Sequence, residues 1–170
     1  EYIRDKGTNR SKFFRGEIDK YTWVDVGSSF LLGDMSAAFL LAQIEHGFEI
    51  TNKRLKIWNY YQQSLQSLED QGLITLPKSI VGSVHNAHMF YFLANSVQER
   101  DNFLKYSRSK GVQSIFHYVP LHNAPAAHKF SEQRTSLALT EDLAFRLVRL
   151  PMWIGVDQNR VVDVVKSFYA

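Results

Sequence analysis

The sequence predicts an α+β layered domain, in which helices pack on a small antiparallel or mixed sheet. Three observations predict it. Apolar residues recur three and four positions apart over long stretches, which indicates helices. Short apolar or alternating runs lie between glycines and prolines, which indicates strands. The order is long helices, strand, strand, helix, strand, helix, helix. The 170 residues suffice for one compact domain with its own core.

Residues 1–33 have no sustained period and carry four glycines, so they are predicted to form a loop-rich arm. Six basic residues in it alternate with acidic and aromatic ones. A loop of this length inside a compact domain is uncommon unless it is functional or disordered. Two interpretations stay open, a tail that packs on a parent domain outside this chain and a loop that covers a substrate.

Residues 34–72 carry the strongest helical pattern. Asp34 is a good N-cap, and apolar residues follow at helical spacing as far as Leu68. A bend is expected near Gly47, and Gly72 is the expected stop. Two helices, or one long bent helix, form an arm of the kind that links two domains or spans a subunit boundary.

Residues 73–170 are predicted to form a small α+β domain. Its helices are recognised by their caps, such as the Ser96 capping box with Gly111 as stop. One strand, Asn86–Leu93, is apolar on both faces and is therefore expected inside the sheet. The predicted strands are 73–77, 86–93 and 114–119, and the predicted helices are 96–110, 140–149 and 157–168.

The composition excludes several classes of protein. The chain has no cysteine, which excludes disulfides, cysteine zinc sites and thiol catalysis and fits a cytoplasmic protein. No apolar run approaches the roughly 18 residues of a membrane span. The net charge of +3 is mild and does not single out nucleic acid as a partner. The chain has no initiator Met and no signal peptide, so we expect it to be part of a longer protein.

Few residues indicate a reaction by themselves. His85 and His88, three apart on a strand, point to opposite faces, so no metal site is predicted. His117 and His122 flank a proline where the chain leaves the sheet and can line a pocket. Ser28 and Ser29 precede a helix and either bind a phosphate or merely satisfy a turn. The sequence contains no nucleophile elbow, Walker A loop or dinucleotide fingerprint.

Motifs along the whole chain resemble the DegT/StrS-type sugar-nucleotide aminotransferases. The arm carries four of them, and the later domain carries three more. Two arm motifs, Lys6–Ser11 and Asp19–Trp23, specifically resemble the subgroup that makes dTDP-4-amino-4,6-dideoxygalactose for enterobacterial common antigen. The motifs are Gly7–Ser11, Phe14–Gly16, Asp19–Trp23, Gly27–Phe30, Asn86–Tyr91, Phe116–His122 and Arg149–Met152.

The resemblance implies the small C-terminal domain and connecting helices of the aspartate-aminotransferase fold, in a homodimer. It also implies pyridoxal phosphate as cofactor, L-glutamate as amino donor and a dTDP-4-keto-6-deoxyhexose as acceptor, in cell-surface polysaccharide synthesis. The family's Schiff-base lysine and the acidic partner of its pyridine nitrogen precede the position of Glu1. Lys6 and Lys12 follow that lysine and are not expected to replace it. The chain by itself is therefore expected to be inactive.

The resemblance also implies roles for individual residues. Ser29 stands where many members have an asparagine that reaches the cofactor phosphate of the neighbouring subunit. Arg10 and Arg15 lie in the flap over the partner's sugar nucleotide and are candidates for diphosphate contacts, with a solvated arm as the alternative. His117 and His122 match the segment near the sugar.

Two other functions stay open at this stage. A relative with the same fold could bind or sense a ligand without catalysis, and the lysine in the parent gene would distinguish it. A metal-dependent hydrolase built on the histidines is the third hypothesis, which metal analysis of the purified protein would test.

Overall fold

The computed structural model describes residues 1–130 and 136–170, and within them the side chain of His128 is not described. Contacts along the chain divide it into two compact units, Glu1–Gly47 and Phe48–Ala170. The division falls at the start of the chain's longest described helix, inside the range 34–72 expected to connect two domains. Each unit has its own hydrogen-bonded framework.

The arm of the first unit is folded back on itself. It contains one short helix, α1 (Arg10–Phe14), which the sequence did not predict. Two antiparallel bridges, Asp5 with Ser29 and Thr8 with Trp23, hold its two limbs together. Gly7 allows the two limbs to approach each other this closely, because its φ is +75° and a Cβ there would lie 1.8 Å from the carbonyl oxygen of Asp25. The rest of the arm is irregular, as predicted.

The helix α2 (Asp34–Glu45) begins where the sequence predicted, but its N-cap is Gly33 and not Asp34. Gly33 has the extended backbone of a cap, which places Asp34 in the first turn. A carboxylate there still faces the positive end of the helix dipole. No residue of α2 is buried, and Met35 and Phe39 are 89% and 71% exposed.

The second helix of this region, α3 (Gly47–Asp70), confirms the predicted bend, since α2 and α3 are separated at His46. Gly72 follows its end with φ +71°, as predicted for the stop. One stripe of α3 enters the core of the second unit, and its buried residues are Ile57, Trp58, Tyr61, Leu65 and Leu68.

The second unit contains a four-stranded antiparallel sheet in the order β1-β2-β4-β3. The strand β2 is interior, as predicted, but starts four residues late. Ala87 has φ +51°, and its amide donates to His85 Nδ1 while the amide of His88 donates to Asn86 Oδ1. Those amides are therefore not available to a ladder. The strands are β1 (Ile74–Thr75), β2 (Phe90–Ala94), β3 (Ile115–Phe116) and β4 (Leu147–Leu150).

The prediction of a helix from Thr140 to Arg149 is wrong at its C-terminal end. The helix is α6 (Ala138–Arg146), and the chain then continues as β4. The strand forms because Leu147–Leu150 lies between β2 and β3 and pairs with both. Arg146 fixes the junction by donating to the carbonyl of Ala94, 2.7 Å away. Because β2 and β3 are distant from β4 in the sequence, the residues around Leu147–Leu150 carry no local pattern that predicts this strand.

Two capped helices complete the core. In α4 (Val97–Ser109), Ser96 Oγ accepts from the amide of Glu99 at 3.1 Å, and in α7 (Gln158–Tyr169), Asp157 accepts from the amide of Arg160 at 3.0 Å. Both caps confirm the sequence prediction. Phe92 and Phe103 meet edge to face, 5.2 Å between centroids, beneath the sheet.

The remaining described elements are short. Leu121–Asn123 forms a single 3-10 turn, and α5 covers Ala127–Phe130. The predicted strand 114–119 is reduced to the two residues of β3. Across residues 1–130 and 136–170, no helix is both long enough and apolar enough to cross a bilayer.

Candidate functional site

The arm of the first unit encloses a cavity of about 200 Å³. Its lining is rich in positive charge and in hydrogen-bond donors, which suits an anion. A phosphate group would find guanidinium, ammonium and hydroxyl donors there together. The lining residues are Arg4, Asp5, Lys6, Thr8, Arg10, Tyr21, Ser29 and Leu31.

Backbone contacts between the two limbs of the arm place Ser29 at this cavity. Lys6 donates its amide to the carbonyl of Ser28 at 3.2 Å, and Ser28 donates to Ile3 at 2.8 Å. Gly27 allows the close approach, since a Cβ there would lie 2.0 Å from the amide nitrogen of Gly7. Among the described residues, the hydroxyl of Ser29 has no hydrogen-bond partner. It is therefore available to a ligand.

Asp5 balances the positive charge of the cavity from a buried position. It is 5% exposed, and its carboxylate accepts hydrogen bonds from the hydroxyl of Ser11 and from Arg4 Nε at 3.0 Å. These bonds, that of Ser11 first, lower the pKa of Asp5 below its ordinary value. Sequence reasoning missed Asp5, because nothing in a basic loop indicates which acidic residue will be enclosed.

Arg10 contributes an uncompensated charge to the cavity. Its guanidinium lies 5.0 Å from the ring centroid of Phe14 and 5.9 Å from that of Tyr21. No described carboxylate lies within ion-pair distance of it. The aromatic rings restrict the side chain while leaving its nitrogen donors unused.

Arg15 differs from Arg10 although both lie in the same flap. Its guanidinium contacts Glu17 at 2.5 Å and Glu1 at 2.7 Å, and these hydrogen bonds raise its pKa. Arg15 is not part of the cavity lining. The structure thus places Ser29 and Arg10 at the same cavity, whereas Arg15 forms ion pairs with Glu1 and Glu17 outside it.

The two candidate histidines of the second unit have different surroundings. His117 is half-buried, and its Nδ1 is enclosed with no hydrogen-bond partner among the described residues. Burial lowers the pKa of His117, and the charge of Arg149 lowers it further, so the neutral ring is favoured. His122 Nε2 lies 3.0 Å from a carboxylate oxygen of Glu141. Glu141 therefore orients the His122 ring.

Arg54 is a further residue that sequence reasoning missed. From α3 it donates to three backbone carbonyls, those of Ala87, His88 and Met152, at 3.0, 2.6 and 3.3 Å. It thereby joins the motif segments Asn86–Tyr91 and Arg149–Met152. Backbone partners leave no trace in the sequence. Within the described residues, no group of three or more His, Asp or Glu converges as a metal site would require.

The chain matches known proteins along nearly its whole length. The model of the DegT/DnrJ/EryC1/StrS aminotransferase family matches residues 1–169. GDP-perosamine synthase of Escherichia coli O157:H7 is 23% identical over 163 residues, which cover 94% of this chain and 43% of that protein. dTDP-3-amino-3,6-dideoxy-alpha-D-galactopyranose transaminase of Aneurinibacillus thermoaerophilus is 25% identical over 153 residues, 89% of this chain and 40% of that protein.

Solved aminotransferase structures share the fold. The aminotransferase TlmJ from Streptoalloteichus hindustanus superposes with a TM-score of 0.81 at 19% identity, over 99% of this chain and 43% of that one. S. venezuelae DesV, solved with a ketimine intermediate, gives a TM-score of 0.80 at 24% identity, over 98% of this chain and 42% of that one. The predicted aminotransferase fold is confirmed.

The chain spans less than half the length of these relatives. The family match nevertheless extends over both units, from the arm to the final helix. Aminotransferases of the family depend on pyridoxal phosphate, as the sequence motifs implied. The chain belongs to the DegT/DnrJ/EryC1/StrS aminotransferase family.

Proposed function

We propose that this chain is the C-terminal part of an aminotransferase that acts on a nucleotide-linked keto-sugar. Residues 1–33 would form the substrate-covering arm, 34–72 the connecting helices and 73–170 the small domain. The observation that carries the proposal is the cationic cavity of the arm, where Ser29 and Arg10 have unused donors. The cofactor and a nucleotide sugar both carry phosphate groups, which such donors recognise.

The proposed amino donor is L-glutamate and the proposed acceptor is a dTDP-4-keto-6-deoxyhexose of cell-surface polysaccharide synthesis. The arm motifs Lys6–Ser11 and Asp19–Trp23 support this subgroup. The two named relatives differ in their nucleotide, since one is a GDP-perosamine synthase and the other a dTDP-sugar transaminase. The nucleotide is therefore the part of the proposal that an experiment must decide.

The residues of the arm cavity fit the phosphate of the cofactor. The lining has three cationic side chains, and its one described carboxylate, Asp5, already accepts from Arg4 and Ser11. We propose that Ser29 holds this phosphate through its hydroxyl, in a neighbouring subunit of a homodimer. When bound, pyridoxal phosphate acts as an electron sink that carries the amino group from donor to acceptor.

The chain's own residues would bind and orient the substrates. Arg10, braced by Phe14 and Tyr21, is pre-positioned to bind the diphosphate through its free guanidinium nitrogens. His117, as a half-buried neutral ring, would line the sugar site. His122, oriented by Glu141, would line the same sugar site.

We further propose that none of the chain's amines forms the catalytic Schiff base. Lys6 is the critical case, because it lines the cavity. The chain would be incubated with pyridoxal phosphate and reduced with borohydride, and the labelled lysines would be mapped by mass spectrometry. We expect scattered, substoichiometric labelling and no amino-sugar product with glutamate and keto-sugar nucleotide. Stoichiometric labelling of Lys6, abolished in Lys6→Ala, would overturn this proposal.

The nucleotide-binding role is tested by titrating the chain with dTDP and GDP. We expect dTDP to bind, and Arg10→Gln to weaken it by about tenfold, equal to about 1.4 kcal/mol. Arg108→Gln, an exposed arginine on α4, is the matched control and should leave the affinity unchanged. Tighter binding of GDP than of dTDP would mean that the substrate is a GDP-sugar. Equal dTDP affinity of the two variants would mean that Arg10 does not contact the nucleotide.

A further inference from the structure

A groove of the second unit lies between the helix α4 and the edge strand β3. It measures about 530 Å³, which is within the range of roughly 300–1,000 Å³ typical of ligand pockets. Residues of α4 that are three and four positions apart form one wall, so they share one face of the helix. The groove is lined by Asp101, Leu104, Lys105, Arg108, Ser109 and Phe116.

The groove lies on the face of the sheet opposite to Arg149. Phe116 is paired with the fully buried Val148, and residues that are directly opposite each other in a sheet point to the same face. Arg149 and its partner Ile115 are the neighbouring pair, so their side chains point to the other face. The groove also shares no residue with the cavity of the arm, and the proposed transamination gives it no role.

The groove carries positive charge that no described carboxylate balances. Its one acidic residue, Asp101, already forms an ion pair with Arg100, whose Nε lies 2.9 Å from the carboxylate oxygen. Lys105 and Arg108 have no described carboxylate within ion-pair distance. Like charges three positions apart on a helix repel each other, and a carboxylate placed between them would relieve that repulsion. The groove therefore favours a negatively charged ligand.

The floor of the groove is apolar. Phe116 is 54% exposed although it lies on the core face of the sheet, because β3 is at the edge. Leu104 packs only partly against the core and also lines the groove. The aliphatic stems of Lys105 and Arg108 extend this apolar surface. A ligand that fits must therefore combine apolar groups with negative charge.

The edge strand determines which kind of ligand this is. In the strand order β1-β2-β4-β3, the strand β3 is the last one and is paired with β4 alone. The open side of an edge strand can accept an extended peptide through main-chain hydrogen bonds. A lipid surface has no main-chain groups to offer. The position of the groove beside β3 therefore favours a polypeptide as its occupant.

We infer that this groove docks an extended acidic segment of another protein. Apolar side chains of the segment lie against Leu104 and Phe116, and carboxylates two positions away on the same face of the segment contact Lys105 and Arg108. This docking goes beyond the proposed function, because it needs neither the cofactor nor a sugar nucleotide. A second copy of the chain and an anionic membrane are the alternatives that the experiment separates.

The test is a titration of the whole chain with a short capped peptide, followed by amide NMR. In this peptide leucine and glutamate take every second position in turn, with serine between them, so that both face the groove when the peptide is extended. We expect saturable shifts at Leu104, Arg108 and Phe116 with a dissociation constant on the order of 0.1 mM. Replacing the glutamates by lysine, or the leucines by serine, should weaken binding at least tenfold.

Two variants separate the groove from the net charge of the chain. Arg108→Glu should weaken binding of the acidic peptide at least tenfold. Lys78→Glu makes the same change of charge just after β1, at the opposite edge of the sheet, and should leave the affinity unchanged. Arg108→Glu should also bind the lysine peptide more tightly than the wild type does, which a variant that merely unfolds would not do.

The inference is overturned if no saturable shift occurs at these residues, if both variants weaken binding equally, or if Arg108→Glu gains no affinity for the lysine peptide. Binding of phosphatidylserine vesicles without binding of the peptide would overturn it in favour of a membrane. Loss of self-association in Arg108→Glu would overturn it in favour of a second copy. The titration with dTDP tests the proposed function separately, so the two can fail independently.

Discussion

At the scale of single residues, one charged side chain organises each unit, the buried Asp5 in the first and the half-buried Arg54 in the second. Asp5 holds Arg4 and Ser11 in the arm, and Arg54 holds three carbonyls beside the sheet. Each of them fixes the positions of neighbouring polar groups. Sequence reasoning missed both residues, because their partners are side chains of the folded arm or backbone atoms.

Asp5 should make the stability of the arm depend on pH. Its pKa in the folded chain is lowered from the ordinary 3.8, so the stabilisation is present above that value and is lost as the pH falls through the lowered pKa. Asp5→Asn should therefore destabilise the arm near neutral pH and flatten its acid transition. Amide hydrogen exchange of the arm, measured from about pH 2 to about pH 7, would show both effects. Asp19→Asn, an exposed aspartate, is the control and should behave like the wild type.

Arg54→Met should lower the free energy of unfolding of the second unit by about 1.5–3 kcal/mol, because charged hydrogen bonds to three backbone carbonyls are lost. Urea unfolding monitored by circular dichroism measures this. Lys56→Met, an exposed position on the same helix, should change it by less than about 0.5 kcal/mol. Equal stabilities of the two variants would contradict the role assigned to Arg54.

At the scale of elements, the ends of helices follow local rules and the strands do not. Gly72 ends α3 in the left-handed region, and a Cβ there would meet no atom within 4 Å. Its role is therefore purely conformational. The strand β4, by contrast, exists only because β2 and β3 lie on either side of it.

Gly72→Ala should destabilise the second unit by roughly 1–2 kcal/mol, the cost of a left-handed backbone for a residue with a Cβ. Gly47→Ala is the control on the same helix, since Gly47 lies outside the left-handed region and has equally open surroundings, and it should not destabilise the chain. Thermal unfolding of the two variants gives the comparison. A Gly72→Ala variant as stable as wild type would mean that the turn has no conformational strain.

At the scale of the whole molecule, the exposed apolar surface of α2 stands out. Met35, Phe39 and Ile44 are 89%, 71% and 63% exposed, and the helix buries no residue. Exposed apolar patches of this kind mark contact surfaces. A homodimer, proposed from the family resemblance, is one way to cover it.

We expect the chain to associate in a concentration-dependent way and Phe39→Glu to weaken this association at least tenfold in sedimentation equilibrium, equal to about 1.4 kcal/mol. Burying an unpaired carboxylate at the contact is the physical reason. Ile80→Glu changes an equally apolar residue that is 77% exposed elsewhere, and should have no effect. A monomer at all concentrations, or equal weakening by both variants, would argue against α2 as the contact.

The sequence by itself determined the helices of residues 34–72, the helices α4 and α7, and the family. Caps such as Ser96 and Asp157, and the stop at Gly72, act within a few residues, so local chemistry suffices to predict them. The motifs likewise sufficed to predict the aminotransferase fold and the cofactor of the family.

Only the tertiary structure decided the late start of β2, the strand at Leu147–Leu150, and which arginine of the arm is free. Arg10 and Arg15 are the same residue type in the same loop-rich arm. Arg15 forms an ion pair with Glu1, fourteen residues away, whereas Arg10 contacts aromatic rings beside a cavity. These outcomes depend on contacts between distant segments. Because such contacts form through folding and not through neighbouring residues, no local pattern contains them.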